Sequence, residues 1–380
     1  MTEESSTAMS RATIYRQAIR HFFSAVAEEL YNDDRVTEVL INGHDKIYVE
    51  RNNQLEVTDK RFESADALQA AVNNLAEYVN RRLDLHHHSM DARLPEPEQF
   101  RVHVITPPCS RQGIVVSIRK FKRAELTVQR LVETGSISAL AMQFLEIAIR
   151  LHRNIIVSGG TSTGKTSLLN ALSTFIPKEE RIIVIEDSSE LQLRQPHTVY
   201  LEVRPPHPDG TGGVSIRDLF IDSLRMRPDR IIVGEVRRGE ALDMIQSMLS
   251  GHDGAMSTVH ASSPRLALLR LETLCLMSEL QMPVYVARTQ VASAIHLVVQ
   301  VSRTTLGRQV TAISEVRELS EKGEYQIVDL FRLNEPDEDE AEHAGQKPLL
   351  IPTDETCTFS KQARSFRVAR DPKWGKLFAL

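Results

Sequence analysis

Apolar positions change rhythm along the chain, and each change marks a different expected element. Ile14, Ala18, Phe22, Val26 and Leu30 recur every four positions, with Tyr15, Ile19, Phe23 and Ala27 beside them. This spacing predicts an amphipathic helix within residues 1–35. Its opposite face mixes acidic and basic residues, which favours packing on its own domain over lying on a membrane. From Val36 the period shortens: "VTEVLINGHDKIYVERNNQLEVTD" reads as short strands separated at Asn42-Gly43 and Asn52-Asn53, residue types suited to tight turns. The helical stretch "SADALQAAVNNLAEYVNRRL" and the strand patterns "FRVHVITPP" and "GIVVSIRKF" complete an expected α+β domain over residues 36–122. A connector over 123–138 follows.

From Ala139 to residue 333, helical patterns alternate with the apolar runs "NIIVSGG", "RIIVIED", "TVYLEV", "RIIVGEV", "GAMSTVH" and "HLVVQVS". Continuous apolar runs of this kind suit strands buried on both faces of a mostly parallel sheet. The expected class is therefore α/β, with a smaller α+β domain in front of it. Over residues 334–380 an acidic stretch, "NEPDEDEAEHAGQKP", reads as a flexible linker. The basic tail after it carries Phe366, Trp374 and Phe378, and both docking and a free tail are open to it.

Composition adds limits. With 380 residues, 41% hydrophobic and 26% charged, the chain is long enough for two domains with separate cores. A formal charge of -5 supplies no broad basic field, which argues against nucleic acid as a partner. Cys109, Cys275 and Cys357 form no CxxC pair and read as reduced thiols. The N-terminus lacks a secretory pattern and no stretch is apolar enough to span a bilayer, so a cytoplasmic protein that meets the membrane through a protein partner is expected. His86, His87 and His88 are consecutive and cannot all face one ion in regular structure.

The chemistry concentrates in "VSGGTSTGKTSLLNAL". Gly159, Gly160, Thr161, Ser162, Thr163, Gly164, Lys165 and Thr166 fit G-x-x-x-x-G-K-[ST] between a strand and a helix, with Ser167 next. In that context backbone N–H groups face phosphates, Lys165 reaches the β and γ oxygens, and Thr166 ligates Mg²⁺. Glu235 ends a second apolar strand, where it would orient or deprotonate an attacking water. Glu186, Asp187 and Glu190 would complete the magnesium shell through water. His252 and His260 bracket the strand "GAMSTVH" and are candidate phosphate sensors. Candidate cations for the γ-phosphate are Arg93, Arg101 and Arg119 in the first domain, and Arg225, Arg227, Arg230, Arg237 and Arg238 around the Glu235 strand. A strand intervening between the loop strand and the Glu235 strand indicates an additional-strand ATPase, and without an N-K-x-D motif the expected nucleotide is ATP.

Together, "DDRVTEVLINGHDKIYVERNNQLEVTDKRF", "MDARL", "NIIVSGGTSTGKTSLLNAL", "RIIVIEDSSELQL", "LRMRPDRIIVGEVRRGEALDMIQSMLSGHDGAMSTVHASSPRLALLRLETL" and "QVASAIHLVVQVSR" resemble the type II/IV secretion ATPase superfamily, and most closely its CpaF-like branch from tight-adherence (Tad/Flp) pili. The resemblance implies a RecA-like P-loop domain and a homohexameric cytosolic motor. It also implies a handover of conformational change to an inner-membrane platform protein. By the same likeness Gly159 to Thr166 form the Walker A loop, Glu186 to Glu190 an acidic box, Gly234-Glu235 the Walker B end and Gly251 to His260 a histidine box. Arg101 and Arg119, with Arg93, match arginines that reach the γ-phosphate. Two departures stand out: "EPEQFRV" replaces "DGSRV", and Ser162-Thr163 replaces the usual Gly-Ser of the loop. Two rival readings remain, a sibling motor of a type IV secretion or conjugation apparatus and a nucleotide-dependent scaffold that scarcely hydrolyses ATP.

Overall fold

The computed structural model describes residues 17–380 except 53, 95–99, 121–126, 205, 207–209, 335–348, 375, 379 and 380. Ile14 and Tyr15 of the N-terminal apolar face and most of the acidic stretch lie outside the described residues. The chain divides into two compact units, Met1–Ala124 with Pro206–Thr211, and Glu125–Pro205 with Gly212–Leu380.

In the smaller unit the described strands are β1 (Val36–Asn42), β2 (Ile47–Arg51), β3 (Gln54–Val57), β4 (Ser89–Arg93), β5 (Arg101–Ile105) and β6 (Val115–Arg119). They pair antiparallel in the order β3-β2-β1-β6-β5-β4. Gly43 and Asn52 take φ of 80° and 53° at the two early turns, as hairpin connections demand. One sheet face buries Val39, Ile41, Val49, Val102, Val104, Val116 and Ile118 under helix α1 (Ala65–Tyr78), whose Leu68, Ala71, Val72 and Leu75 form the matching stripe. Ser64 caps α1 by accepting the Ala67 N–H at 3.1 Å. The N-terminal segment packs on this same core through Ile19, Phe23, Val26 and Leu30. It is not one continuous helix, because a 3₁₀ turn over Ser24–Val26 interrupts it before Ala27–Tyr31.

In the larger unit α2 (Val128–Glu133) occupies part of the expected connector, and α3 (Ala139–Arg150) follows. Its strands are β7 (Ile155–Gly159), β8 (Ile182–Glu186), β9 (Thr198–Glu202), β10 (Arg230–Val233), β11 (Met256–His260), β12 (Leu297–Thr304), β13 (Gly307–Arg317), β14 (Gln326–Asn334) and β15 (Leu349–Pro352). They form a sheet ordered β15-β14-β13-β12-β7-β11-β10-β8-β9, parallel from β12 to β9 and antiparallel beyond β12. Both faces are buried: along β7, Ile155 and Val157 enter one apolar core and Ile156 the other. Helices α3 and α4 (Lys165–Ser173) cover the first face, and α5 (Glu240–Leu249), α6 (Pro264–Leu276) and α7 (Val284–Ala294) the second. Strands β13 to β15 extend the sheet beyond the runs legible in the sequence. No helix among the described residues is long and apolar enough to cross a membrane.

Docking is the course the C-terminal tail takes. After β15, Phe359 and Phe378 pack on Phe144 at 5.6 and 6.0 Å between ring centroids, and Trp374 meets Phe378 at 4.8 Å with the rings tilted by 55°. The buried carboxylate of Glu315 accepts both the N–H and the hydroxyl of Thr358, at 2.9 and 2.8 Å. Trp374→Ala empties part of this core and is expected to cost about 3–5 kcal/mol of unfolding free energy. Urea denaturation measures it, and a change below about 1 kcal/mol would show that the tail lies on the unit without stabilising it.

Candidate nucleotide-binding site

The glycine-rich loop leaves the C-terminal end of β7 and turns directly into α4. A Cβ on Gly159 would come within 2.5 Å of the Val301 carbonyl and 2.6 Å of the Thr163 hydroxyl, so only glycine fits. Ser162 and Gly164 are left-handed, with φ of 57° and 94°, and for a serine that conformation costs about 1 kcal/mol. Two hydrogen bonds hold the loop in this shape: Thr163 donates its hydroxyl to the Gly160 carbonyl at 2.9 Å, and Arg308 Nε donates to the Ser162 carbonyl at 3.0 Å. The result is a turn of backbone at a helix N-terminus, a donor set that suits an anion.

Lys165 is buried, and its ammonium donates to the carbonyls of Gly159 and Gly160 at 3.0 and 2.8 Å. Burial pulls its pKa below the ordinary lysine value. The same ammonium lies 3.2 Å from His260 Nδ1, and His260 Nε2 lies 2.8 Å from Glu235 Oε1. This places the imidazole proton on Nε2, leaving Nδ1 to accept from the lysine. Partial burial lowers the His260 pKa, which favours the neutral ring. Glu235 Oε2 then accepts from Arg237 at 2.7 Å, and Arg237 donates onward to Asp187 at 3.1 Å. A continuous polar chain therefore runs from the loop lysine to the acidic turn after β8.

Strand order explains the chain. Strand β11 lies between β7 and β10, with His260 paired in register to Gly159 and Ser257 to Val233. Neighbouring strands are about 4.8 Å apart, so the end of β11 places a histidine where it spans the gap between the loop and the Glu235 strand. The strand intervening in space is thus β11, which follows both of the others in sequence.

Glu186, at the end of β8, is buried and accepts the N–H groups of Glu190 and Leu191 at 2.8 and 3.0 Å. Its side chain lies against Gly234, where a Cβ would meet its Cγ at 2.9 Å. Burial pushes its pKa up to about 7. One carboxyl oxygen is thereby committed to the turn that carries Glu190, so Glu186 braces the site from beneath and is a poor direct ligand for magnesium. Thr166 and Ser167 occupy the half-buried first turn of α4, while Thr161 is exposed at the loop tip.

Two expected binding residues lie elsewhere. His252 precedes β11, and its neighbour Asp253 accepts from His152 Nδ1 at 3.4 Å, ahead of β7. Parallel strands run the same way, so a residue before β11 sits at the sheet edge opposite His260; the two histidines cannot flank one phosphate. Arg227 likewise precedes β10, at the edge where the Arg181 carbonyl accepts from Asp229 and Arg230. Arg230 itself is a buried partner of Glu180 at 2.5 Å. Of the arginines around β10, Arg237 joins the polar chain. In the smaller unit Arg93, Arg101 and Arg119 stand directly opposite one another across β4, β5 and β6, with Glu38 next in the row. Sequence reading missed Arg308, and no local pattern signals it.

Fold and loop together define a protein with a RecA-like P-loop domain of the additional-strand type, joined to a smaller α+β unit. The chain belongs to the type II/IV secretion system protein family, whose pattern matches residues 24–341. It is 32% identical over 322 residues to a putative conjugal transfer protein of Mycobacterium tuberculosis, covering 84% of this chain and 91% of that one. It is 32% identical over 320 residues to the type IV secretion system protein PtlH of Bordetella pertussis, covering 78% and 94%. In fold it resembles the crystal structure of the Legionella pneumophila ATPase DotB, with a TM-score of 0.55, 16% identity and 82% of each chain covered.

The raised pKa of Glu186 has a consequence for stability without nucleotide or magnesium. The fold holds the proton to about pH 7, whereas the unfolded chain releases it near 4.5. The folded state therefore binds more protons across that window, and stability falls as pH rises through it before levelling off. Glu186→Gln keeps an acceptor for the two N–H groups and removes the titration. Near pH 8 the variant is expected to be about 3 kcal/mol more stable than the parent, and near pH 4 about equal to it. Urea denaturation at both pH values measures this, and equal stability near pH 8 would show that the fold does not raise the Glu186 pKa.

Proposed function

We propose that the protein hydrolyses ATP to ADP and phosphate and works as a homohexameric motor at the cytoplasmic face of a secretion, conjugation or pilus-assembly apparatus. The observation that carries this reading is the polar chain Lys165–His260–Glu235–Arg237–Asp187 at the mouth of the loop. A module that only binds nucleotide has no need of a carboxylate wired to the loop lysine. In the proposed cycle Lys165 exchanges the carbonyls of Gly159 and Gly160 for phosphate oxygens and so releases its hold on His260. Glu235, still oriented by His260 Nε2–H and Arg237, is then the group that orients a water or takes its proton.

A magnesium ion would arrive with the nucleotide and be held beside the first turn of α4, where Thr166 is half-buried. The Thr166 hydroxyl is the proposed direct ligand and Glu190 acts through water, in keeping with an ion that retains most of its own water. Magnesium would supply charge neutralisation between the β- and γ-phosphates. The row Arg93, Arg101, Arg119 is the proposed source of cations for the γ-phosphate, as the family resemblance implies.

Two particular motors fit. The stretch 224–274 supports the Tad/Flp pilus branch, and the names of the relatives support a type IV secretion or conjugation apparatus; prepilin and platform genes beside this one, against mating-channel genes, separate them. In either, an inner-membrane platform protein is the proposed partner and the basis of peripheral membrane association.

Phosphate release and equilibrium binding of a fluorescent ATP analogue test the chemistry. Lys165→Ala is expected to lose both. Glu235→Gln is expected to bind normally while kcat falls about 10²-fold or more, and an unchanged kcat would remove Glu235 from the reaction. Alanine at Arg101 or Arg119 is expected to slow hydrolysis with ADP affinity retained; wild-type turnover in both would confine the row to the fold of its own unit.

A further inference from the structure

We infer that Arg308 is a positioning residue for the nucleotide loop, acting through the left-handed Ser162 that stands where a glycine is usual. This rests on the loop's reading as a nucleotide cradle. Three observations support it. Arg308 Nε donates to the Ser162 carbonyl across 146 positions of sequence, and its Cδ lies 3.5 Å from where a Cβ on Gly164 would be. The guanidinium and its stem therefore lie along the outside of the loop at its two left-handed residues. The arm that carries Arg308 is itself well defined. Val301 pairs with Gly159, so the β12–β13 hairpin projects past the end of β7 beside the loop. Its β13 arm is anchored by hydrogen bonds from Val310 N to the Ser136 carbonyl at 2.8 Å and from Gln309 Nε2 to the Gly135 carbonyl at 3.0 Å.

Geometry turns this contact into a device. The peptide between Ser162 and Thr163 is planar and trans, so its C=O and N–H point in opposite directions. A donor that holds the Ser162 carbonyl toward the hairpin thereby aims the Thr163 N–H away from the hairpin. Glycine at 162 would adopt φ of 57° without steric penalty. Serine prefers negative φ, and a loop relaxing that way would rotate this peptide and withdraw an N–H from the cradle. Arg308 opposes that rotation.

The test is a double-mutant cycle read by binding of fluorescent ADP with magnesium, with thermal melting as a control. Arg308→Ala is expected to weaken affinity five- to tenfold without lowering the melting temperature, and Arg308→Lys, which keeps a donor, to recover most of the loss. In a Ser162→Gly background the same Arg308→Ala change is expected to cost less than twofold. Equal losses in both backgrounds would assign Arg308 to direct nucleotide contact and overturn the inference. Unchanged affinity in Arg308→Ala would overturn it as well. Failure of the wild-type protein to bind the analogue would refute the nucleotide reading and the inference with it, an outcome distinct from the other two.

Discussion

Two strands that never touch must cooperate in this site, and one histidine connects them. The loop lysine springs from the end of β7 and Glu235 from the end of β10, while β11 separates them. The strand ends stand roughly two spacings, about 10 Å, apart, and the lysine ammonium turns back to the carbonyls of Gly159 and Gly160 and does not meet the carboxylate. His260 closes the gap because β11 ends in register with Gly159 and turns its ring between the two groups, accepting on one side and donating on the other. The arrangement needs a neutral imidazole, and the partial burial that depresses its pKa favours one. The state of the lysine and the state of the carboxylate are coupled through a single ring.

The surroundings keep that coupling rigid. Glu186 presses on Gly234, which must lack a side chain for β10 to deliver Glu235, and its carboxyl pins the acidic turn that carries Glu190. Thr258 adds a hydrogen bond to the Gly234 carbonyl at 2.8 Å, tying β11 to the same point. On the far side of β7, β12 and β13 carry the hairpin that holds the loop from outside. The docked C-terminal segment then closes the core beneath β13 through Glu315 and the aromatic cluster around Phe144. The contacts at Glu186, Gly234 and Thr258 fix backbone direction at the strand ends that carry the polar chain, where a displacement of an ångström would open it.

The legible parts of the protein are those written in local pattern. Apolar runs of four to six residues announced β7 to β12, because a strand buried on both faces needs apolar side chains at successive positions. The loop was legible because strand, glycines, Lys165 and Thr166 are contiguous, and Glu235 because it ends such a run. His260 and His252 belong to one motif and read as a pair, yet strand direction sends them to opposite edges. Arg227 failed for the same reason. Strand β4, with its Asp91 and Arg93, and the mixed strands β13 to β15 carry too little periodicity to stand out.

From sequence alone came the family resemblance, the α/β class and the chemical types assembled around a phosphate, since all three depend on residues close together in the chain. Tertiary structure alone decided which histidine faces the loop lysine, that Glu186 is a buried brace, that the tail docks, and that Arg308 holds Ser162. Hydrophobic periodicity encodes whether a position is buried, whereas strand order encodes who meets whom. Partners 95 and 146 positions apart, as Lys165 is from His260 and Ser162 from Arg308, are brought together only when the sheet closes.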